Sequence, residues 1–567
     1  MKDPTIVSDL LFQTVPDHPD TPALGYAGEG AFTYAAFASA VDSLAGQLRG
    51  DGISPGDRVA ILSENMPAWG IAYLAINRMG AVAVPVLPDF PAGDIGEILA
   101  HAGAKAVFVS RKLHEKAADE LSGRKAPRVY QLDEIPIPEE PDDSWGSGEH
   151  RYDGGPDDLA AIIYTSGTTG HSKGVMLSNR NLVYDVTEAG QIPGISPGDA
   201  MISILPLAHT YECTIGFLVP ISLGATIYYL RRPPSATVLM PALEKVRPHL
   251  MLSVPLLIEK IYRQSVLPSL NKKAVTRWLY SRPLGRRILN RIAGKKLKKT
   301  FGGRLYFFGV GGAALAPDVE QFLREAKFPY CVGYGLTETS PMIAGANATD
   351  QVYRSTGNPI AGVEVRITEP ANSGEEGEVL VRGPIVMQGY FRDPEKTAEV
   401  IDNDGWFHTG DLGTLDEKGR LFIKGRSKNV IIGPSGENIY PEAIERVINS
   451  FEAVEESLVY ANEGSIQALI HLNYDALREN LGRASDGIRD AAGSVKDAAI
   501  SGADAVGDFL TDLRDKVNSR LSGFSRIGGV EEQKEPFERT PTNKLKRFLY
   551  EKKGSDDDDA SASASRR

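Results

Sequence analysis

One turn of the sequence combines the side chains that suit a polyphosphate. It follows the apolar run 159–163, which predicts a buried strand, and residues 164–176 read YTSGTTGHSKGVM. Glycines let backbone N–H groups approach phosphate oxygens, hydroxyls donate further hydrogen bonds, and Lys173 supplies a positive charge. A Walker loop is excluded because Ser172 stands where that motif needs glycine, and Gly174 where it needs a hydroxyl. The pattern predicts another kind of phosphate-binding loop, with an ordinary surface turn as the alternative.

Three later segments carry further chemical groups. Residues 333–339 read GYGLTET, which offers an aromatic ring for a base, hydroxyls for phosphate, and Glu338 as an oxygen ligand for magnesium. Residues 406–413 read WFHTGDLG and add the carboxylate of Asp411. Residues 539–547 read RTPTNKLKR, a basic loop that contains Lys544.

In this order, the segments resemble the motifs of the adenylate-forming superfamily, which contains acyl-CoA synthetases, luciferases and peptide-synthetase adenylation domains. The resemblance extends from about Thr21 to about Tyr550. It implies that the loop from Thr165 to Lys173 cradles the β- and γ-phosphates of ATP, and that Thr168 and Glu338 hold Mg²⁺. It also implies that Asp411 accepts hydrogen bonds from both ribose hydroxyls, a role that suits an acceptor-only carboxylate.

The resemblance assigns the remaining site residues as well. Lys544 would bridge phosphate and acyl oxygens, and His209 would lie beside the acyl carboxylate. The alternatives are a basic surface loop for the lysine and a structural role for the histidine. The residues implied to be catalytic are Lys544, Glu338, Thr168 and His209. Those implied to bind the nucleotide are Thr165, Ser166, Gly167, Thr168, Thr169, Gly170, Lys173, Gly312, Ala313, Tyr334, Gly335, Thr337, Asp411, Arg426, Lys428 and Gly436.

The implied activity is that of a long-chain fatty-acid:CoA ligase, because the segment from Leu250 to Tyr262 resembles the strand-to-helix passage of those enzymes. Such an enzyme uses ATP, Mg²⁺ and CoA, and passes through acyl-AMP. An acyl carrier protein ligase and a ligase that stops at acyl-AMP are alternatives in the same class. A non-catalytic membrane-binding scaffold is the alternative of another class, although it would not need to retain Lys173, Glu338, Asp411, Arg426 and Lys544.

The elements that must position these groups predict an α/β fold. Strand-like runs at 58–62 and 81–85 flank an apolar helical stretch at 68–79, and a second helix–strand pair follows at 97–110. The run 202–209 predicts a strand that ends in His209. We therefore expect a large multi-layer N-terminal α/β domain at 1–424, a hinge at 425–428 with Lys428 as its pivot, a small mobile α+β domain at 429–550, and a disordered tail at 551–567.

An eleven-residue period marks part of the small domain. Its first position holds apolar side chains from Leu477 to Leu521, which predicts an amphipathic helical insertion at about 475–521. Each glycine in it costs about 1 kcal/mol relative to alanine, so the helix is marginal by itself.

Composition limits the class of protein. A chain of 567 residues needs more than one core, and 62 basic against 74 acidic residues give a net charge of −12, so nucleic acid is not an expected partner. Only Cys213 and Cys331 occur, which indicates a reducing compartment. No signal peptide is evident, and Pro220 and Gly224 interrupt the apolar run 213–230, which favours a buried helix and strand over a membrane span.

One stretch departs from the acidic average. Residues 260–317 contain no Asp or Glu, and basic residues crowd the part from Lys272 to Lys299, among apolar residues at helical spacing that Pro283 interrupts. Contact with an anionic membrane and a solvated face that steers CoA phosphates are equal interpretations. The expected partners are a long-chain fatty acid and CoA, and a homodimer is compatible with the sequence. The expected location is cytoplasmic, with peripheral contact at the inner face of the cell membrane.

Overall fold

The computed structural model describes residues 4–123, 126–139, 141, 146–165, 172–368, 376–433, 437–462, 464–474, 476–477, 502–540 and 545–550. The chain divides into two compact units. The large unit comprises Met1–Thr368, Val379–Thr409 and Thr414–Phe422, and the small unit comprises Glu369–Glu378, Gly410–Gly413 and Ile423–Arg567.

The described strands, in chain order, are β1 Pro22–Tyr26, β2 Ala31–Thr33, β3 Arg58–Leu62, β4 Val82–Val86, β5 Ala104–Val109, β6 Arg128–Gln131, β7 Leu159–Thr165, β8 Lys173–Ser178, β9 Ala200–Ile202, β10 Thr226–Tyr229, β11 Leu250–Ser253, β12 Phe307–Val310, β13 Tyr330–Val332, β14 Tyr334–Gly335, β15 Met342–Gly345, β16 Asn358–Pro359, β17 Glu364–Ile367, β18 Gly377–Arg382, β19 Gly389–Tyr390, β20 Phe407–Leu415, β21 Leu421–Arg426, β22 Ile431–Ile432, β23 Asn438–Ile439, β24 Val454–Asn462, β25 Ser465–Leu472 and β26 Gly529–Glu532.

The described α-helices are α1 Asp9–Thr14, α2 Tyr34–Gly50, α3 Pro67–Arg78, α4 Ala92–Ala102, α5 Arg111–His114, α6 Asn179–Ala189, α7 Val219–Ser222, α8 Ala236–Val246, α9 Pro255–Ile261, α10 Leu267–Asn271, α11 Ala274–Tyr280, α12 Pro283–Thr300, α13 Pro317–Ala326, α14 Pro394–Val400, α15 Pro441–Ile448 and α16 Gly502–Asn518. Two π-helical segments, Tyr211–Leu218 and Tyr262–Val266, precede α7 and α10.

Two seven-stranded sheets organise the large unit. The first has the order β13-β12-β11-β9-β10-β1-β2, with all pairs parallel except β1–β2. The second has the order β19-β8-β7-β4-β3-β5-β6, in which β8 runs antiparallel to both its neighbours. Smaller sheets are β14-β15-β16, β17-β18-β20-β21, β22-β23 and β24-β25-β26. The chain is thus mixed α/β, as its sequence predicts.

Burial in the core explains why strands β3 and β4 are almost entirely apolar. β3 and β4 read RVAIL and VAVPV and are almost wholly buried, as expected for parallel strands covered on both faces. Every residue of α3 is buried, and within it Trp69 stacks on Tyr73 with ring centroids 5.1 Å apart. A helix that is apolar on all sides belongs in such an interior.

Two predicted segments take their expected form within the described residues. The run 213–230 folds into π-helix, α7 and β10 and is largely buried, and no described helix is both long and apolar enough to cross a membrane. The basic stretch forms α11 and α12, separated at Pro283.

The predicted insertion is described only in part. Helix α16 buries Leu510, Leu513 and Val517 in the core of the small unit, together with Leu477. Residues 478–501 and the tail from 551 lie outside the described residues.

Candidate active site

The carboxyl ends of parallel strands meet at one edge of the first large sheet. Gly312 and Ala313 follow β12, and Tyr334 follows the neighbouring strand β13 after one glycine. The Gly333 N–H donates to the Val310 carbonyl at 3.0 Å, which ties the two turns together. Gly312 has a φ of +83°, a conformation that favours glycine. This edge is where open α/β sheets bind ligands.

The segment that carries Glu338 begins at Gly335, where another part of the backbone approaches so closely that only glycine fits. A Cβ at Gly335 would lie 1.7 Å from the Pro341 carbonyl oxygen. A short 3₁₀-helix, Thr337–Thr339, follows. The Thr339 hydroxyl donates to the Pro341 carbonyl at 2.8 Å and accepts from the Leu336 N–H at 3.0 Å, so the turn is closed on itself.

Two contacts with a later segment fix the backbone around Glu338. The Met387 N–H donates to the Glu338 carbonyl at 2.9 Å. Ser340 is buried with a φ of +74°, unusual for a residue other than glycine, and its hydroxyl donates to the Ile385 carbonyl at 2.8 Å. The carboxylate of Glu338 is therefore presented from a rigid turn.

The phosphate-loop motif joins the two strands of an antiparallel hairpin. Thr165 at the end of β7 pairs with Lys173 at the start of β8. Of the residues between them, 166–171 lie outside the described part of the chain, and with them the predicted Ser166, Gly167, Thr168, Thr169 and Gly170. The hairpin confirms the strand predicted before the loop.

A buried tyrosine joins Lys173 to Glu338. Strand β19 pairs with β8, which sets Tyr390 opposite Val175. The Lys173 Nζ lies 5.2 Å from the centroid of the Tyr390 ring, within cation–π range, and the Tyr390 hydroxyl donates to Glu338 Oε1 at 2.9 Å. Two residues that the sequence places far apart thus meet at one side chain. The sequence analysis did not identify Tyr390, although its position directly after Gly389 could have pointed to it.

Asn181 on α6 holds the framework of this junction. Its amide nitrogen donates to the carbonyls of Pro384 and Val386 at 2.7 and 2.8 Å, and its oxygen accepts from the Ser178 N–H at 2.8 Å. The same side chain therefore caps α6 and fixes the segment that leads to Tyr390.

The strand predicted to reach His209 is shorter than expected: β9 ends at Ile202. The reason is the side chain of Asn65, which donates to the Leu205 carbonyl at 2.6 Å and accepts from the Leu207 N–H at 2.8 Å. These bonds replace strand pairing with a side-chain clamp. The Asn65 clamp was not found from the sequence.

His209 lies in the turn that follows this clamp and is partly exposed. The Tyr211 N–H donates to its Nδ1 at 3.2 Å, so Nδ1 acts as an acceptor. Tyr211 in turn packs on the glycines that end β12, since a Cβ at Gly311 would lie 3.0 Å from Tyr211 Cζ. The histidine segment therefore borders the same sheet edge as the turn at Gly312.

A buried carboxyl group, Glu212, stands in the π-helix after His209. Burial raises the pKa of Glu212 to about 8, and the Ser203 hydroxyl donates to its Oε1 at 2.5 Å. Its Oε2 has no hydrogen-bond partner among the described residues. Gly216 makes the space, because a Cβ there would lie 2.7 Å from Glu212 Cδ. Sequence reasoning did not single out Glu212.

The described residues contain no group of three or more His, Cys, Asp or Glu side chains that could hold a metal ion. Mg²⁺ does not need one, because it is usually bound through one or two carboxylates together with phosphates and water. Glu338 fits that pattern.

The small unit brings two predicted residues together. The Arg426 Nε lies 2.9 Å from Asp411 Oδ1, with the carboxylate buried and the guanidinium half-exposed. The Ser427 hydroxyl donates to the Gly410 carbonyl at 3.1 Å and fixes the end of β21 against β20. Lys428 is exposed in the short helix Ser427–Asn429, and Gly436 lies outside the described residues.

Lys544 also lies outside the described residues, but both flanks of its loop are fixed. Arg539 and Leu545 form an antiparallel bridge. Arg547 donates to buried Glu445 at 2.5 Å, and the same carboxylate accepts from the Val459 N–H at 2.7 Å. The loop base is therefore anchored in the small unit's core.

Comparisons with known proteins identify the family of this chain. A model of AMP-binding enzymes matches residues 11–391. Arabidopsis thaliana peroxisomal long chain acyl-CoA synthetase 6 is 30% identical over 468 residues, covering 76% of this chain but only 66% of that protein. The Mycobacterium tuberculosis ligase named 3-[(3aS,4S,7aS)-7a-methyl-1,5-dioxo-octahydro-1H-inden-4-yl]propanoyl:CoA ligase is 32% identical over 470 residues, covering 80% and 84%.

The fold agrees as well. The crystal structure of the ATP-bound RpMatB-BxBclM chimera B1 matches with a TM-score of 0.74 at 25% identity, covering 97% of this chain and 99% of that one. The chain therefore belongs to the AMP-binding enzyme family. Its relatives there include proteins named as an acyl-CoA synthetase and as an acyl-CoA ligase.

Proposed function

We propose that this protein is an ATP-dependent long-chain fatty-acid:CoA ligase that forms acyl-AMP and pyrophosphate, then acyl-CoA and AMP. The observation that carries the proposal is the junction at Tyr390, which sets the lysine of the phosphate-loop hairpin and the carboxylate of Glu338 on either side of one ring. A cation for phosphate and a carboxylate for a phosphate-bound metal are the pair that polyphosphate chemistry requires.

In the first half-reaction a fatty carboxylate oxygen bonds to the α-phosphorus of ATP and pyrophosphate leaves. The carboxylate is already a nucleophile, so no general base is needed, and the protein must position the reactants and stabilise developing charge. We assign the hairpin loop from Thr165 to Lys173, with Thr168, to the phosphates, and Gly312, Ala313, Tyr334, Gly335 and Thr337 to the adenine side. His209 borders the acyl carboxylate.

Mg²⁺ would arrive with ATP and be held by Glu338 and Thr168. It supplies positive charge that screens the phosphate oxygens. The rigid turn around Glu338 and the hydroxyl of Tyr390 orient the carboxylate for that contact.

In the second half-reaction the CoA thiolate attacks the acyl carbon, a C–S bond replaces the C–O bond, and AMP leaves. We propose that residues 429–550 form a mobile domain that turns about Lys428 between the two half-reactions, against an N-terminal domain at 1–424. Lys544 would act in adenylation, and Asp411 and Arg426 would bind ribose. An ion pair that already orients Asp411 supports that role.

Two relatives are named for different acyl groups. The plant relative's name favours a long chain, whereas the mycobacterial relative is named for a bicyclic propanoic acid at slightly higher identity. A ring-containing acid is therefore the second candidate substrate class.

The test is pyrophosphate release over a panel of fatty acids and a bicyclic propanoic acid, with and without CoA, and with thioester measured separately. We expect release to require both ATP and a long-chain acid, and thioester to appear only with CoA. The same assay applied to Glu338→Gln tests the proposed magnesium ligand. Its matched control is Glu364→Gln, which changes a glutamate in an exposed ion pair with Arg382.

Three outcomes contradict the proposal, each in a different way. Release without thioester in the presence of CoA indicates an acyl-AMP ligase or a carrier-protein ligase. Release only with the bicyclic acid transfers the protein to the second substrate class. No release with any acid indicates the membrane-binding scaffold.

A further inference from the structure

Helices α11 and α12 expose large apolar side chains to solvent. Val275 and Trp278 on α11 are 74% and 58% exposed, and Leu284, Ile288 and Ile292 on α12 are 75%, 57% and 61% exposed. The α12 residues recur every four positions, so they form one row along the helix. Contiguous exposed apolar groups of this kind mark an interaction site.

The opposite face of α12 fixes the direction of this row. Gly285, Asn290, Gly294 and Leu297 are buried. A Cβ at Gly294 would lie 2.5 Å from the Ala326 carbonyl oxygen, so α12 rests directly against the end of α13. The helix cannot turn its apolar row inward without breaking that contact.

Basic side chains flank the apolar row. Arg287, Arg291, Lys295, Lys296 and Lys299 are exposed, and none forms an ion pair within the part of the chain that the structure describes. Their positive charge is therefore not neutralised by neighbouring acids.

The acids of the neighbouring helix α13 are already paired. Glu325 binds Arg286 at 2.9 Å, Asp318 binds Arg263 at 3.2 Å, and Glu320 binds Arg354 at 3.3 Å. Arg286, which lies in the basic stretch from Lys272 to Lys299, is thus a structural residue of the α12–α13 contact.

Trp278 adds an exposed amphipathic ring on the preceding helix α11. The Arg282 guanidinium lies 4.6 Å from its centroid. A tryptophan with an adjacent cation is typical of side chains at the boundary between lipid headgroups and acyl chains.

We propose that the exposed face of α11 and α12, called here the basic apolar face, docks on the surface of an anionic lipid bilayer. The apolar row would enter the headgroup boundary and the flanking lysines and arginines would meet lipid phosphates. This inference goes beyond the proposed function and does not depend on it.

Other occupants fit less well. A second copy related by two-fold symmetry would bring two basic faces together, which is unfavourable. Nucleic acid would satisfy the basic side chains, but its phosphates offer nothing to three exposed aliphatic side chains in a row. A bilayer satisfies both sets.

The test is co-sedimentation of the full chain with vesicles of phosphatidylcholine alone and of phosphatidylcholine with phosphatidylglycerol, at low and high salt. We expect binding only to the anionic vesicles and at low salt. Trp278 fluorescence should shift to the blue on binding, and Trp278→Phe should remove that shift.

Two triple variants separate the charges from the apolar row. Neutralising three charges should weaken binding about 100-fold, because each contributes about fivefold near an anionic surface; this variant is Arg287→Gln/Arg291→Gln/Lys295→Gln. Removing the apolar row should weaken binding at least about tenfold; this variant is Leu284→Ser/Ile288→Ser/Ile292→Ser.

A matched control removes the same charge elsewhere. Three exposed basic residues of the large unit outside α11 and α12 are suitable, and the control is Lys112→Gln/Arg232→Gln/Lys418→Gln. Vesicle binding should survive in it. Circular dichroism should show unchanged helix content in all variants, because the changed side chains are exposed.

Four results would overturn the proposal. The first is equal binding of the full chain to neutral and anionic vesicles, and the second is an equal loss of vesicle binding in the control variant. The third is a full chain that does not bind vesicles but self-associates, with self-association abolished in the apolar-row variant. The fourth is a full chain that binds RNA but not vesicles. The third would identify a second copy as the occupant, and the fourth a nucleic acid.

Discussion

Two carboxyl groups of the large unit and two of the small unit are held by different kinds of donor. In the large unit, Glu338 and Glu212 are held by hydroxyl groups: Tyr390 donates to Glu338 at 2.9 Å and Ser203 donates to Glu212 at 2.5 Å, whereas Glu320 and Glu325 of the same unit pair with arginines. A hydroxyl brings no charge. A carboxylate held this way keeps its negative charge for a bound cation, or takes up a proton when it is fully buried.

In the small unit, Asp411 and Glu445 are held by guanidinium groups. Arg426 binds Asp411 at 2.9 Å, and Arg547 binds Glu445 at 2.5 Å. Burial raises the pKa of Glu445 and Arg547 opposes that shift. Carboxylates paired in this way orient neighbouring segments of the protein, but their negative charge is already balanced by the arginine. The difference supports the proposal that Glu338 serves a bound cation, whereas Glu445 anchors the base of a loop.

The largest effect is expected for Lys544→Ala, which should slow one of the two half-reactions and not the other. Lys544→Ala should lower acyl-AMP formation about 1,000-fold, because a charge that stabilises the transferring phosphate is lost. Thioester formation from supplied acyl-AMP should stay within about twofold if the lysine acts in adenylation only. Lys546→Ala, which removes a lysine paired with Glu538 at 3.3 Å, is the control. Equal loss of both half-reactions would contradict the proposed division of labour.

Glu338→Gln should lower the adenylation rate about 100-fold with little change of shape, because a magnesium ligand loses its charge. Raising the Mg²⁺ concentration should restore part of the rate. Circular dichroism should show an intact fold. An unchanged rate at saturating Mg²⁺ would show that the hydroxyl-held carboxylate does not serve a cation.

The two buried carboxyl groups should respond oppositely to amidation. Glu445→Gln should destabilise the small unit by about 3 kcal/mol, because it leaves Arg547 mostly buried and without its carboxylate. Glu212→Gln should stabilise the large unit by about 2 kcal/mol or more at pH 8.5, and by little at pH 5.

The sign for Glu212 follows from its raised pKa. The stability that this group contributes is fully present below its ordinary pKa of 4.5 and is lost as the pH rises to about 8. Glutamine removes that loss. Hydrogen exchange of peptides from each unit, measured at both pH values, reports the two effects separately. If both substitutions lowered stability, the proposed contrast between Glu212 and Glu445 would be wrong.

Tyr390→Phe should have the smallest effect. It keeps the ring for Lys173 but removes the hydrogen bond to Glu338, so Tyr390 is a positioning residue. Adenylation should fall about tenfold, with a raised Mg²⁺ requirement. Tyr353→Phe, which removes a hydroxyl that donates to the Pro317 carbonyl at 3.3 Å, is the control. A fall without a change in Mg²⁺ requirement would indicate a packing role only.

Local sequence patterns predicted much of the framework. Period and composition located the strand before the phosphate loop, the buried helix α3, and the two basic helices separated at Pro283. These features depend on residues close in sequence, where sterics and burial decide conformation. Asp411 and Arg426, which the resemblance assigns to the same nucleotide, form an ion pair that was not itself predicted.

Three of the misses share one physical cause. Asn65 ends β9 early, Tyr390 joins Lys173 to Glu338, and Arg286 leaves the exposed face to bind Glu325. Each is a side-chain contact between distant segments, which depends on sheet order and helix packing rather than on local pattern. Glu212 was missed because the sequence does not show that this glutamate is buried, and burial is what raises its pKa.

The close approach of α12 to α13 at Gly294 has a kinetic consequence. Amphipathic segments that fold only on contact with a surface must be ordered at that moment, which weakens and slows their binding. Here the helix is already formed and braced before any contact, so that ordering cost is absent. Attachment through the basic apolar face would therefore proceed at the rate of electrostatically steered collision, and release would require only that a few side chains leave the headgroups.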